Sequence, residues 1–310
     1  MVSPRSRFGL FHSAIPAPRL AGILAVAVAA CLTSAAQETA TTATLGNPVL
    51  QLKTESDGTR SVSCRESSKL TPADYEAIGK LPRLKSLTLY GKCSLTDETL
   101  VALAGLDELE KVGIDGAKLS DDGLKAMANW KSLRQLTFFH IINPGKFSGA
   151  GVAHLAALPK LESFGCGGSS FTDEGMAACA QLPHLTDLRI WHTGATNTGV
   201  AELTKLKRLR SLRLAPQFRP RITGAAVESL AAIPSLETLS LGEMRLTWEG
   251  GLKHLKALPN LKKLELDLVD ISDADLARLK TELPGVAITR KPPDDKQLEQ
   301  LRRNWANQAS

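Results

Sequence analysis

Six histidines, five cysteines and a recurring aspartate are the side chains of this 310-residue chain that could do chemistry. Two histidines follow an aromatic residue, in Phe139-His140 and Trp191-His192. A zinc site needs three or four converging ligands. Neither Cys166, read as an inward strand residue, nor any acid is placed by the pattern to join these two. His154, His184 and His254 recur on the helical side and read as surface residues. Covalent catalysis needs a nucleophile, a base and an orienting group in contact. The chain has no Gly-x-Ser-x-Gly elbow, no Gly-rich phosphate loop and no His-Glu-x-x-His. Asp97, Asp121, Asp173 and Asp273 form a row, but each follows a Ser or Thr at a helix start, so their spacing is structural. No catalytic residue, metal or cofactor is assigned, and the expectation is a binding protein, not an enzyme.

The chemistry the residues do offer is recognition. Phe139 and Trp191 end short strands in the same register, two repeats apart. The repeat between them carries Gly165, Gly167 and Gly168. Neighbouring strands lie about 4.8 Å apart, so the two aromatic-His pairs are expected about 10 Å apart across a glycine floor. Arg189 and Arg213 stand beside them, and Tyr90 adds a third aromatic on the same face. Aromatics and arginine dominate binding hot spots. Tyr90, Phe139, His140, Arg189, Trp191, His192 and Arg213 are therefore the candidate ligand-binding residues. In a competing reading, Trp191 lies over the glycines and shields exposed backbone.

The elements that must position these residues are written as a repeat. Pairs of an apolar residue and Ser or Thr begin at Leu70, Leu95, Leu119, Phe147, Phe171, Ala195, Ile222, Leu246 and Ile271. Their spacings are 25, 24, 28, 24, 24, 27, 24 and 25 residues. Each Ser or Thr reads as a helix N-cap. Acids such as Asp97-Glu98 and Asp121-Asp122 then complement the helix dipole. Leu100, Leu103 and Leu106 give the helix one apolar face. Leu-Pro or Ile-Pro pairs such as Leu81-Pro82 and Ile233-Pro234 stop many helices, because the residue before proline resists the helical region. A strand of the form Leu-x-x-Leu-x-Leu follows, as in Leu185, Leu188 and Ile190, or Leu209, Leu212 and Leu214. One strand and one helix per ~24 residues cannot bury a core alone, but stacked units can.

This pattern resembles the leucine-rich-repeat family. Leu-Thr-Asp-x-x-Leu from Leu95 and Leu-Ser-Asp-x-Gly-Leu from Leu119 look like its cysteine-containing, ribonuclease-inhibitor-like subclass, which is common in F-box partners and exported bacterial repeat proteins. The resemblance implies an α/β solenoid, a right-handed horseshoe with a parallel sheet on the concave face and helices on the convex face. It implies ligand binding, usually of protein, on the concave face, and no catalysis. The family's Asn/Cys ladder position is occupied instead by Lys92, Ala117, Ile141, Ser169, Thr193 and Gln217, so backbone groups at that turn must be satisfied from elsewhere.

Domain boundaries follow. Residues 1–19 carry Arg5, Arg7 and Arg19 and no acid, and Leu20 to Ala30 is an unbroken run of apolar residues and glycine. Eleven residues are too few to span a bilayer, which takes about 20. Residues 1–36 therefore read as an export signal. Cleavage after Ala36 competes with a lipobox at Val28-Ala29-Ala30-Cys31, in which Cys31 would be lipidated. Residues 37–48 read as a flexible linker, 49–70 as an N-terminal β-hairpin cap, 71–290 as the repeats and 291–310 as a tail, either helical or frayed. The expected location is exported: periplasm, cell envelope or extracellular, with membrane contact only through a lipid anchor. In an exported chain Cys64 and Cys93, flanking the first repeat, are candidates for a disulfide. Cys166 and Cys179 fall at core positions.

Charge narrows the partner. The formal net charge of +6 falls to +3 without the leader arginines. The outward strand positions hold four basic and four acidic residues, whereas a phosphate-tracking face would be mostly basic. Nucleic acid is not expected. The first reading is an exported module binding a protein or peptide on its concave face. A glycan-binding surface protein using Tyr90, Phe139 and Trp191, and an F-box-type adaptor, are the alternatives.

Overall fold

A computed structural model describes residues 41–306. Twelve strands form one sheet in chain order. They are β1 (Thr41–Leu45), β2 (Asn47–Thr54), β3 (Arg60–Cys64), β4 (Leu84–Leu89), β5 (Lys111–Asp115) and β6 (Gln135–Phe139). Then come β7 (Ser163–Gly167), β8 (Asp187–Trp191), β9 (Ser211–Ala215), β10 (Thr238–Gly242), β11 (Lys263–Asp267) and β12 (Ala287–Lys291). The first two pairings are antiparallel, and every pairing from β3 to β12 is parallel.

Register explains the Leu-x-x-Leu-x-Leu wording. Leu87, Val112, Leu136, Phe164, Leu188, Leu212, Leu239 and Leu264 align across the strands. All are buried, together with the next inward row from Leu89 and Ile114 to Leu266. With a period of two, these rows face the helical layer and the intervening residues face outward. Phe138 packs edge-on against Phe147 and Phe164, with ring centroids 6.2 and 5.9 Å away. Trp130 is fully buried and its indole N–H donates to the Leu103 carbonyl at 2.9 Å.

The helical halves are shorter than the pattern suggests. Some are α-helical: α1 (Pro72–Gly79), α2 (Asp97–Leu100), α3 (Asp173–Cys179), α4 (Asn197–Glu202), α5 (Ala226–Leu230) and α6 (Asp273–Glu282). Others, Gly123–Asn129, Ala150–Leu155 and Leu252–Ala257, are 3-10 helices. The apolar spacing accounts for this. Leu124, Met127 and Trp130, or Leu252, Leu255 and Leu258, recur every three residues, which matches three residues per turn. The caps form at Ser120, Thr247 and Ser272, whose hydroxyls accept from the N–H groups of Gly123, Gly250 and Asp275 at 3.0 Å.

The aspartates of the row do more than favour their own helix dipoles. Asp97 accepts from Ser120 N–H at 2.9 Å and Ser120 hydroxyl at 2.6 Å, one repeat on. Asp173 takes Thr196 N–H and hydroxyl, both at 2.7 Å. Asp121 takes Ser148 N–H and hydroxyl and the N–H groups of Gly149 and Gly151. Each of these three carboxylates thus holds the next repeat's cap. The glycine three residues after the capping Ser or Thr makes room for it: a Cβ at Gly123 would lie 1.9 Å from Asp97 Oδ1, and one at Gly199 2.4 Å from Asp173 Oδ1.

The N-terminal end differs from the sequence expectation, and the C-terminal tail takes the helical one of its two expected forms. Pairing reaches back into the stretch read as a linker: β1 lies against β2, with Gly46 turning between them at φ +76°. Thr41, Thr42 and Thr44 are β-branched residues that suit a strand, and backbone pairing needs no apolar alternation. At the other end α7 (Asp295–Ala306) follows Pro292-Pro293. Its Leu301 is fully buried, and Asn304 donates to the Phe218 carbonyl at 2.5 Å. The tail therefore returns to the loop after β9.

Candidate binding face

Each strand from β4 to β11 ends at a turn whose next residues enter the left-handed region. Gly91, Gly116, His140, Gly168, His192, Gln217, Glu243 and Leu268 all have φ between +47° and +87°. His140 and His192 therefore share a register, as their spacing predicts, and the register is that of a turn. Their N–H groups continue the ladder, donating to the Gly167 and Ala215 carbonyls at 2.9 and 2.8 Å. The unusual ladder residues are satisfied locally. Ser169 hydroxyl accepts from Ile141 N–H and donates to the Gly167 carbonyl, both at 3.0 Å. Elsewhere backbone serves, as in Cys93 N–H to the Asp115 carbonyl at 2.8 Å.

On the outward face Asp115, Phe139, Gly167, Trp191 and Ala215 align in one row. The notch expected between Phe139 and Trp191 is closed. Trp191 swings over the glycine floor: a Cβ at Gly167 would lie 1.9 Å from its Cε2. It meets Phe139 with ring centroids 5.3 Å apart and planes at 67°. Phe139 in turn meets Tyr90 edge-on at 5.7 Å. The separation of about 10 Å set by strand spacing thus becomes one continuous aromatic strip. Phe139 and Trp191 are half-buried and Tyr90 is exposed.

Acids do reach the two histidines, contrary to the sequence reading. His140 Nδ1 lies 2.7 Å from Asp115 Oδ1. His192 Nε2 lies 3.0 and 2.9 Å from the two oxygens of Glu243, two strands away. Asp115 is legible as the register neighbour of Phe139. Glu243 is 51 residues from His192, and its one signal is that it shares the turn register. Each imidazole is committed to a different carboxylate, so the two do not converge on one ion. Among the described residues no group of three His, Cys, Asp or Glu side chains is gathered as metal ligands.

The arginines are engaged as well. Arg189 reaches Asp187 at 2.8 Å, and Arg213 reaches Asp267 at 3.6 Å, across the strand that carries Gly242. Beside them Lys263 holds the Glu265 carboxyl below the usual carboxylate range. The face thus divides into an aromatic part, from β4 to β8, and a charged part, from β8 to β11. Two cavities, of about 680 and 540 Å³, lie off this face at the strand-end edge, one beside α7 and one beside Lys146 and Phe171.

Cys64 and Cys93 stand as separate buried thiols instead of a disulfide. Cys93 Sγ lies 3.3 Å from the Tyr75 hydroxyl, which also hydrogen-bonds Ser94 at 2.9 Å. Burial pushes the Cys64 and Tyr75 protons toward higher pH. Cys31 and the leader lie outside the described residues. Among those described, no helix is long and apolar enough to cross a membrane.

No family model and no curated protein matches the chain. Solved structures do. An internalin (inlF) from Listeria monocytogenes is similar at TM-score 0.46 and 19% identity, over 71% of each chain. An internalin C2 of the same organism gives 0.45 and 19%, over 72% of this chain and 84% of that one. A leucine-rich-repeat protein of Leptospira interrogans gives 0.35 and 19%, over 69% and 68%. The parallel strands, one per 24–28 residues, and the inward Leu-x-x-Leu-x-Leu rows define the architecture. The fold is a leucine-rich-repeat solenoid. In a leucine-rich-repeat solenoid the outward sheet positions are free of core packing, so residues such as Phe139 and Trp191 are placed there without any duty to the interior.

Proposed function

We propose that this chain is a binding module that takes a protein or peptide segment on the open face of its sheet and catalyses no reaction. The carrying observation is the strip Tyr90–Phe139–Trp191. Only 5% of residues are aromatic, yet three meet edge to face on the one surface the core does not need. Aromatic side chains held this way supply area at low entropic cost. The leader argues for export, and Cys31 for a lipid anchor. A glycan partner is the alternative for the same strip.

Selection of a random peptide library on the full chain tests the reading. Enriched peptides should lose binding to Phe139→Ala and Trp191→Ala variants that keep the wild-type circular dichroism. Peptides held equally well by both variants would place binding elsewhere. Saturable binding to polysaccharide fractions, with no peptide enriched, would favour the glycan alternative.

A further inference from the structure

From Leu203 to Val227 the chain carries seven lysines and arginines and no acid. The stretch is one repeat in length and contains β9, and all seven basic side chains are exposed. Lys205, Lys207, Arg208 and Arg210 precede the strand. Arg213 stands on the open face, and Arg219 and Arg221 follow in the strand-end loop. The fold therefore draws the charge into a belt that runs along β9 from one edge of the sheet to the other.

The belt is incompletely neutralised. Lys205 pairs with Glu202, Arg210 with Glu237 at 3.4 Å and Arg213 with Asp267 at 3.6 Å. Lys207, Arg208, Arg219 and Arg221 have no carboxylate within 4.0 Å among the described residues. Lys207 donates to the Thr204 carbonyl and Arg208 to His184 Nδ1, at 3.0 and 3.2 Å. On the strand-start edge, adjoining repeats alternate in charge, pairing Lys85 with Glu110 and Arg134 with Glu162. That ladder breaks at Thr186. Beside the break a cleft of about 400 Å³ is lined by Glu162, Thr186, Lys207, Arg208, Arg210 and Ser235. On the far edge Gln217 and Phe218 both adopt positive φ, and Asn304 of α7 holds the Phe218 carbonyl. Arg219 and Arg221 are thus presented from a pinned loop. Residues 1–40 contain one acid, Glu38, and residues 307–310 none.

We propose that this belt docks an acidic polypeptide segment, extended across the sheet along β9. The proposal rests on the open face being the binding surface and names the charge of what it takes. The path is one repeat wide. Asp187, Glu237 and Asp267 flank it, so a duplex about 20 Å across, with phosphates on both strands, meets repulsion. A flat anionic membrane can reach one edge or the face, not both edges and the face together. A single extended peptide fits, because its side chains alternate: acids toward the belt, apolar groups toward Trp191, whose strand neighbours β9.

The test uses a labelled glutamate-rich peptide of about twelve residues, long enough at roughly 3.3 Å per residue to cross the sheet. Anisotropy titration of the full chain should give saturable binding that weakens at least tenfold between about 50 and about 500 mM salt. Lys207→Glu, Arg208→Glu, Arg219→Glu and Arg221→Glu together should weaken it at least tenfold more. The milder pair Lys207→Gln and Arg208→Gln should give a smaller loss, which covers the case where the fourfold variant misfolds. Charge reversal within the helices, at Lys125, Lys253 and Lys280, should change little. Equal binding by belt-reversed protein overturns the proposal. So does tighter binding of oligodeoxythymidylate or of phosphatidylglycerol vesicles than of the peptide. A peptide library enriched in non-acidic sequences that still need Trp191 overturns it while leaving the proposed function standing.

Discussion

The Trp191 indole lies against Gly167 on the neighbouring strand, so closely that a Cβ there would sit 1.9 Å from the ring. Gly165, one outward position earlier, is less crowded, at 3.5 Å from Trp191 Cζ3. Gly167→Ala should therefore lift Trp191 off the sheet, at a cost of about 1–3 kcal/mol for the overpacked contact. Gly165→Ala should cost less. Thermal melts and red-shifted tryptophan emission check this; identical melts for the two variants would show that the indole is not seated as described.

Removing the aromatic strip should leave the solenoid intact. Phe139 and Trp191 project from the face that the core does not use. Their alanine variants should stay within about 1 kcal/mol of wild type, apart from the 5.3 Å ring contact they share. Denaturant titration decides it. A loss of several kcal/mol would mean the strip is there for stability and not for recognition.

The aspartate row should behave as a set of clasps between repeats. Asp173→Ala leaves Thr196 N–H and hydroxyl without their partner. Loss of such a charged acceptor costs roughly 1.5–3 kcal/mol. Asp121→Ala, which strands four donors, should cost more. Asp273→Ala, whose carboxylate among the described residues meets only Arg290, at 3.4 Å, should cost least. Chemical denaturation of the three variants gives the order, and equal costs would refute the clasp.

Two thiols set an upper pH limit on stability. Burial pushes Cys166 up to about 12 and Cys179 well above the ordinary thiol value of 9.0. In the unfolded chain both ionise near 9.0, so above that pH the unfolded state loses protons first. The stability these groups contribute is fully present below about pH 9 and is lost as pH rises toward 12. Melting temperature should fall across that window, and less steeply in a Cys166→Ala, Cys179→Ala protein. Native protein at pH 8 should resist iodoacetamide at both positions.

Much was legible in the residue order alone. Periodicity is a backbone property: an apolar residue every second or third position states which face is inward. The spacing of 24–28 residues states that units stack. The parallel solenoid, the capping Ser and Thr, the inward leucines and the common register of His140 and His192 all follow from that local arithmetic.

What tertiary structure alone decided is where long side chains go once strands are neighbours. Trp191 crosses onto Gly167 because glycine leaves the space, and so turns an expected notch into a strip. Asp97 looks like a cap of its own helix but clasps Ser120 in the next repeat. His192 finds Glu243, 51 residues away, because Ala215, the neighbour of Trp191 on the intervening strand, is small and leaves the path across it open. The residues before Gly46 carry no apolar alternation, yet they pair because a sheet edge was available to them. Repeat spacing fixes which backbones lie side by side; rotamers, and the pairs they make across strands, depend on the volume left by neighbours one and two repeats away.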